Sequence, residues 1–171
     1  MKILITGGAG FIGSHLSERL IAENHHVTVL DNLSTGRLEN LSKIKENNNF
    51  CFVEGSILDP QLLQSIVLNV DYIFHLAAAV GVFNIVNNPL ESLLTNIRGT
   101  ENVLEAANLA RIPVFLTSSS EVYGKNIAES LKESDDRILG TPVTLRWSYS
   151  EAKAIATTAS ITSNTCAKHL V

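Results

Sequence analysis

Apolar residues fall along this chain in two rhythms. Short, near-continuous apolar runs occur at Lys2–Thr6, Val27–Asp31, Phe50–Glu54, Asp71–His75 and Pro113–Ser118, the pattern of parallel strands covered by helices on both faces. Longer stretches repeat every three or four residues. One runs from about Phe11 to Asn24, and another, Leu93, Ile97, Thr100, Leu104 and Ala107 widened by Leu94 and Val103, ends near Arg111. The first three elements make a βαβ unit. Right-handed crossovers thereafter predict an α/β fold with a doubly wound parallel sheet of order 3-2-1-4-5 and ligands at the carboxyl ends of strands 1 and 4.

Length and composition narrow this picture. The 171 residues suffice for one core and not for a second full domain. With 45% hydrophobic and 18% charged residues and a net charge of -4, the chain has the balance of a soluble globular protein. It offers no positive field, so neither nucleic acid nor membrane is an expected partner. No apolar run approaches the roughly 20 residues that cross a bilayer, and Gly7, Gly8 and Gly10 interrupt the first run before a signal-peptide core could form. Cys51 and Cys166 lack metal-ligand spacing, which predicts free thiols, no metal site and a reducing, cytoplasmic setting.

The chemistry gathers at the strand ends. Thr6-Gly7-Gly8-Ala9-Gly10-Phe11-Ile12-Gly13 follows a predicted strand and opens a predicted helix, the context in which a glycine motif cradles a dinucleotide pyrophosphate. Gly7 permits the tight turn, Gly10 lets backbone N–H groups reach the phosphates, and Gly13 lets helix and strand pack closely. The helix N-terminus adds unpaired donors and a partial positive charge. Asp31 closes the second strand, where a carboxylate accepts hydrogen bonds from both adenosine ribose hydroxyls and repels a 2′-phosphate. The expected cofactor is therefore NAD rather than NADP, and the fold is Rossmann-type. Arg37 reads as a solvated loop residue.

Tyr149 and Lys153 share one face if Trp147 to Ile155 is helical. An ammonium beside the phenol predicts a lowered Tyr pKa suited to a general base, and the lysine can also bond a nicotinamide ribose. Thr117-Ser118-Ser119-Ser120-Glu121-Val122-Tyr123-Gly124 ends the fifth strand and puts hydroxyls where a substrate oxygen can be held while Tyr149 removes its proton.

These residues together resemble the extended short-chain dehydrogenase/reductase family of nucleotide-sugar epimerases, dehydratases and decarboxylases. The resemblance is carried by the Gly7-to-Gly13 loop, Asp31, His75-Leu76-Ala77-Ala78, Thr95-Asn96-Ile97-Arg98-Gly99-Thr100, the serine-rich turn and Tyr149/Lys153. It implies Ser119 as catalytic hydroxyl, Tyr149 as base and Lys153 as its partner. Asn96 is a support residue, and His75 and Asn96 read from the residues alone as satisfied polar groups near the sheet edge. Phe11, Ile12, Asn32, Ser56, Ile57, Leu76, Ala77 and Ala78 complete the implied cofactor-binding set. Glu121 discriminates among members: Ser120-Glu121 is more similar to nucleotide-sugar decarboxylases than the Asp-Glu of 4,6-dehydratases. Its carboxylate reads equally as a turn cap or a partner of Lys125.

The resemblance therefore implies NAD-dependent oxidation at C4 of a UDP-sugar, decarboxylation or epimerisation, and return of the hydride, with a possible homodimer. Two departures qualify it. Ser56 stands where the family commonly has an adenine-contacting Asp, and similarity fades after Lys153. The expected division is a dinucleotide-binding domain at 1–153 and a divergent or truncated tail at 154–171, the tail bearing only a weak stripe through Ile155, Ala159, Cys166 and Leu170. The family's sixth strand and sugar-binding C-terminal region are expected to be missing. A catalytically silent dinucleotide-binding fragment or regulatory module is thus the alternative. A dehydrogenase of a small alcohol is a weaker reading, opposed by Val122-Tyr123-Gly124 and Thr95-to-Thr100.

Overall fold

A computed structural model of the chain describes residues 1–81, 87–162 and the main chain of 168–170. Its elements are β1 (Lys2–Thr6), α1 (Phe11–Ala22), β2 (His26–Asp31), β3 (Phe50–Glu54), α2 (Pro60–Val67), β4 (Tyr72–His75), α3 (Pro89–Ala110), β5 (Val114–Thr117), α4 (Trp147–Thr162) and β6 (Lys168–Leu170), with short 3-10 turns at Leu38–Leu41 and Ser120–Tyr123. The strands form one sheet in the order β3-β2-β1-β4-β5-β6, and every neighbouring pair is parallel.

The side-chain alternation of β1 explains why both faces are covered. Leu4 joins Leu30, Ile73 and Val114 against α2 and α3 through Leu63, Val67, Val103, Leu104 and Ala107. Ile3 and Ile5 point the other way and join Val27 and Val29 against Leu20 and Ile21 of α1, with Leu41 and Ile44 closing that side. Each such buried aliphatic side chain contributes about 1.5–3 kcal/mol relative to exposure. Local signals fix the helix ends. The Asp59 carboxylate accepts the N–H groups of Gln61 and Leu62, each at 3.0 Å, ahead of Pro60 in the first turn of α2. Arg111 ends α3 in the left-handed region at φ 56.

The predicted order 3-2-1-4-5 is present, and the expectation of no sixth strand is corrected. β6 extends the sheet beside β5, pairing Phe115 with Lys168 and Thr117 with Leu170. A three-residue Lys-His-Leu segment carries no apolar run, so its pairing follows from where α4 delivers the chain. α4 itself continues well past Lys153 to Thr162. The stripe assigned to that stretch lay on the wrong face: Ile155 is exposed, whereas Ala152, Ala154, Ala156 and Ser160 are buried. Small residues let α4 approach its neighbours, a signal that apolar counting misses. Cys166, together with Ser163 and Thr165, lies outside the described residues, as does the Leu170 side chain. The buried face of α3 likewise runs through Ser92, Asn96, Gly99 and Thr100 before Val103, Leu104 and Ala107, so the expected Leu93 and Ile97 are only half-buried. Asn96 and Thr100 there bond Ala79 and His75, and Ser92 lines the cleft.

Candidate active site

A cleft of about 520 Å³ crosses the carboxyl ends of β1 and β4. Asp31 and Ser56 stand at one end, Tyr149 and Lys153 at the other. Of the residues expected to bind cofactor, Gly7, Gly10, Phe11, Ile12, Gly13, Asp31, Asn32, Ser56, Ile57, Leu76, Ala77, Ala78, Tyr149 and Lys153 all line it.

The glycine loop is formed by close approach. Gly7 has φ +73, and a Cβ there would lie 2.7 Å from the backbone nitrogen of Ala77. A Cβ on Gly13 would strike the Gly7 carbonyl. The first helical bond of α1 runs from the Ser14 N–H to the Gly10 carbonyl at 3.0 Å, which leaves the N–H groups of Phe11, Ile12 and Gly13 outside the helical ladder at the cleft wall. The first turn holds no acidic residue to occupy them. This is an anion cradle, and it fits a pyrophosphate.

Asp31 is buried at 8% exposure, yet its charge is well supported. One carboxylate oxygen accepts the Ala9 N–H at 3.0 Å and the other the Leu33 N–H at 2.8 Å. Each oxygen keeps a lone pair for a ribose hydroxyl. The carbonyl of Ala9 is held in turn by the Arg37 N–H at 3.1 Å and the Asn40 side chain at 2.8 Å. The 34–40 segment therefore folds over the glycine loop, and Ser34, Thr35 and Gly36 join the cleft wall. Sequence reasoning passed over these three; the turn-forming Asn32-Leu33-Ser34, in which the Asn32 Oδ1 accepts the Ser34 N–H at 3.1 Å, was the available signal. Ser56 lines the cleft while its hydroxyl oxygen accepts the Leu58 N–H at 3.1 Å.

At the other end, Lys153 is buried and its ammonium donates to the Thr117 carbonyl at 2.9 Å. Burial pulls its pKa down to about 8. Tyr149 is hydrogen-bonded to Ser119. The expected lowering of the Tyr149 pKa is corrected: burial raises it, the Ser119 bond opposes that rise, and the Glu121 carboxylate adds to it. Burial of the phenol is the main cause and the Glu121 carboxylate adds to it, while the Lys153 ammonium is held at the Thr117 carbonyl. Glu121 pairs with Arg146 at 3.8 Å rather than with Lys125; Lys125 and Arg146 both sit over the Trp147 ring, at 5.7 and 5.5 Å from its centroid. Ser119 and Glu121 stand beside the cleft and not in its wall, which is made there by Thr117 and Ser118. The Ser119 oxygen also accepts the Glu121 N–H at 3.3 Å, capping the Ser120–Tyr123 turn.

A Rossmann-type sheet, a glycine loop against Ala77, a braced Asp31 and a Tyr/Lys pair in one cleft define the class of dinucleotide-binding α/β proteins. Within it, residues 4–166 match the family described as GDP-mannose 4,6 dehydratase, and the chain belongs to that family. It is 42% identical over 159 residues to the UDP-N-acetyl-alpha-D-glucosaminuronate decarboxylase of Bacillus cytotoxicus, covering 92% of this chain and 48% of that protein. It is 38% identical over 158 residues to UDP-glucuronic acid decarboxylase 1 of Arabidopsis thaliana, covering 92% of this chain and 35% of that protein. The crystal structure of DesIV, a dTDP-glucose 4,6-dehydratase from Streptomyces venezuelae with NAD and TYD bound, superposes with a TM-score of 0.88 at 31% identity, covering 99% of this chain and 54% of that one. The chain thus spans about half or less of the length of these relatives.

Proposed function

We propose that the cleft binds NAD and that the chain carries the oxidising half of a nucleotide-sugar enzyme acting at C4 of a UDP-sugar, of the decarboxylase or 4-epimerase type. One observation carries this reading: Tyr149 and Lys153 open onto the same cleft as the Gly7-to-Gly13 loop and Asp31. Bound there, NAD would supply a reversible hydride acceptor. Asp31 would hold the adenosine ribose, the α1 N-terminus the pyrophosphate, and Lys153 with Thr117 the nicotinamide end. Ser119 orients the C4 hydroxyl, and Tyr149 takes its proton as the C4 hydrogen leaves as hydride.

Burial, with Glu121 adding to it, holds the Tyr149 pKa above the usual phenol value, so a positive charge beside the phenol would favour the phenolate. With a carboxylate at C6, the 4-keto sugar is a β-keto acid. The C5–C6 bond then breaks, carbon dioxide leaves, and the electron pair forms an enolate that is reprotonated at C5. Glu121, paired with Arg146 and near enough to Tyr149 to raise its pKa, is the carboxylate assigned to that proton. The 42% identity to a nucleotide-sugar decarboxylase supports this branch over plain epimerisation. A homodimer belongs to the same proposal.

The test has two arms. Calorimetric titration with NAD and NADP should show binding of NAD alone. Incubation with UDP-glucuronate and with UDP-glucose, followed by chromatography of the nucleotide sugars, should show product whose rate of formation Tyr149→Phe lowers by about 10²–10⁴-fold. Binding of NAD without any turnover would leave a dinucleotide-binding module, and failure to bind NAD would sink the reading.

A further inference from the structure

His75 is a buried titratable group that the chemistry above does not use. It ends β4, opposite Thr6 at the end of β1 in the strand register, and is 1% exposed. Its two ring nitrogens reach different elements. Nδ1 lies 2.7 Å from the Thr6 hydroxyl, and Nε2 lies 3.1 Å from the Thr100 hydroxyl on α3.

The direction of these bonds follows from the hydroxyls. The Thr100 hydroxyl donates its hydrogen to the Asn96 carbonyl at 2.7 Å, so it can only accept from His75, and the ring proton is on Nε2. Nδ1 then accepts, and its donor is the Thr6 hydroxyl. That hydroxyl oxygen in turn accepts the Ala77 N–H at 3.3 Å. A continuous relay therefore runs from Ala77 through Thr6, His75 and Thr100 to Asn96. Asn96 closes it onto the same loop: its Oδ1 accepts the Ala79 N–H at 2.8 Å, and its Nδ2 donates to the Ala79 carbonyl at 3.0 Å.

Residues 76–79 form the cleft wall beside the glycine loop, and Gly7 is packed on Ala77 with no room for a Cβ. The positions of this wall and of the glycine loop are therefore coupled through that contact. Burial, with the nearby Lys153 charge adding to it, pulls the His75 pKa down to about 3, so the ring is a neutral donor and acceptor at any ordinary pH.

Building on the dinucleotide reading, we propose that His75 is a positioning residue, whose Nε2–H tautomer ties Thr6 of β1 to Thr100 of α3 and so sets the Leu76–Ala79 wall against the Gly7 turn for dinucleotide binding. It does not line the cleft and acts through Ala77 and Ala79. Thr100→Val keeps the shape of the side chain and removes the oxygen, leaving the Nε2–H buried without an acceptor. Thr100→Ser restores the oxygen and loses only a methyl group.

The experiment combines calorimetric NAD titration of the whole chain with nitrogen-15 NMR of the histidine rings, His75 being assigned by its disappearance in His75→Gln. The expected result is a wild-type His75 signal with Nε2 protonated and Nδ1 bare, NAD binding weakened about tenfold in Thr100→Val, and binding within about twofold of wild type in Thr100→Ser. A proton on Nδ1 in the wild type overturns the proposal and does not depend on any variant folding. So does Thr100→Val binding NAD as well as wild type does. Failure of the wild-type chain to bind NAD removes the dinucleotide reading itself, whereas wild-type binding that Thr100→Val leaves unchanged removes only the role of His75.

Discussion

The two ends of the cleft are built differently. At the Asp31 end, geometry is fixed by backbone: Gly7 against Ala77, Ala9 held at both its N–H and its carbonyl, and a carboxylate that is buried because two N–H groups support it. At the Tyr149 end, the arrangement rests on side-chain charge: a buried lysine pulled down to about 8, a phenol pushed up, and the Glu121–Arg146 pair at 46% and 68% exposure. A backbone cradle suits a ligand that stays through every cycle. A charged end suits groups whose protonation must change within each cycle.

Variants at the two ends should separate these properties. The largest effect is expected at Tyr149→Phe, which should lower turnover by about 10²–10⁴-fold while NAD affinity, read by calorimetry, stays within about twofold. A parallel loss of NAD affinity would break the distinction between the ends. Gly7→Ala comes next. Its Cβ meets the Ala77 backbone at 2.7 Å at a positive φ, so urea unfolding should show a loss of about 2–4 kcal/mol together with loss of NAD binding. Asp31→Ala removes the acceptor for two N–H groups and should lose about 1–3 kcal/mol of stability, with the preference for NAD over NADP falling in competitive titration.

Lys153 yields a pH signature of similar size. Its folded pKa of about 8 lies below the usual 10.5, so between those values the unfolded chain binds more protons and stability rises with pH. The cost of burying the charged form is fully present below about pH 8 and fades above it. Urea unfolding should therefore show wild type gaining about 2 kcal/mol on Lys153→Met between pH 8 and pH 9.5. A pH-independent gap would mean that the ammonium is not desolvated. The smallest effect belongs to Arg146→Gln: an exposed pair at 3.8 Å should change stability by less than about 1 kcal/mol, with any effect confined to turnover.

Much of the fold was legible because its signals are local. The apolar runs located β1 to β5, and the strand–glycine–helix context of Gly7 to Gly13 located the cradle, since a tight turn, a helix start and a close approach are all written in consecutive residues. The Tyr149/Lys153 spacing likewise placed both side chains on one helical face and in one cleft. What escaped was whatever depends on distant partners. Ser34, Thr35 and Gly36 reach the cleft only because Arg37 and Asn40 tie their segment to Ala9. The direction of the Tyr149 shift depended on how far the fold buries the phenol, with Glu121 adding to it, which spacing does not encode.

The amino-acid pattern by itself determined the alternation of strands and helices, the strand order from β3 to β5 and the residue types at the carboxyl ends, because periodicity and turn chemistry act over a few residues. Tertiary structure decided three further things. It added β6 to the sheet, as pairing depends on where α4 leaves the chain. It joined Thr6, His75, Thr100 and Asn96 into one buried chain of hydrogen bonds, as buried polar groups must find partners wherever the fold supplies them. It set the charge at each end of the cleft, since desolvation and Coulomb interaction depend on three-dimensional distance and not on position along the chain.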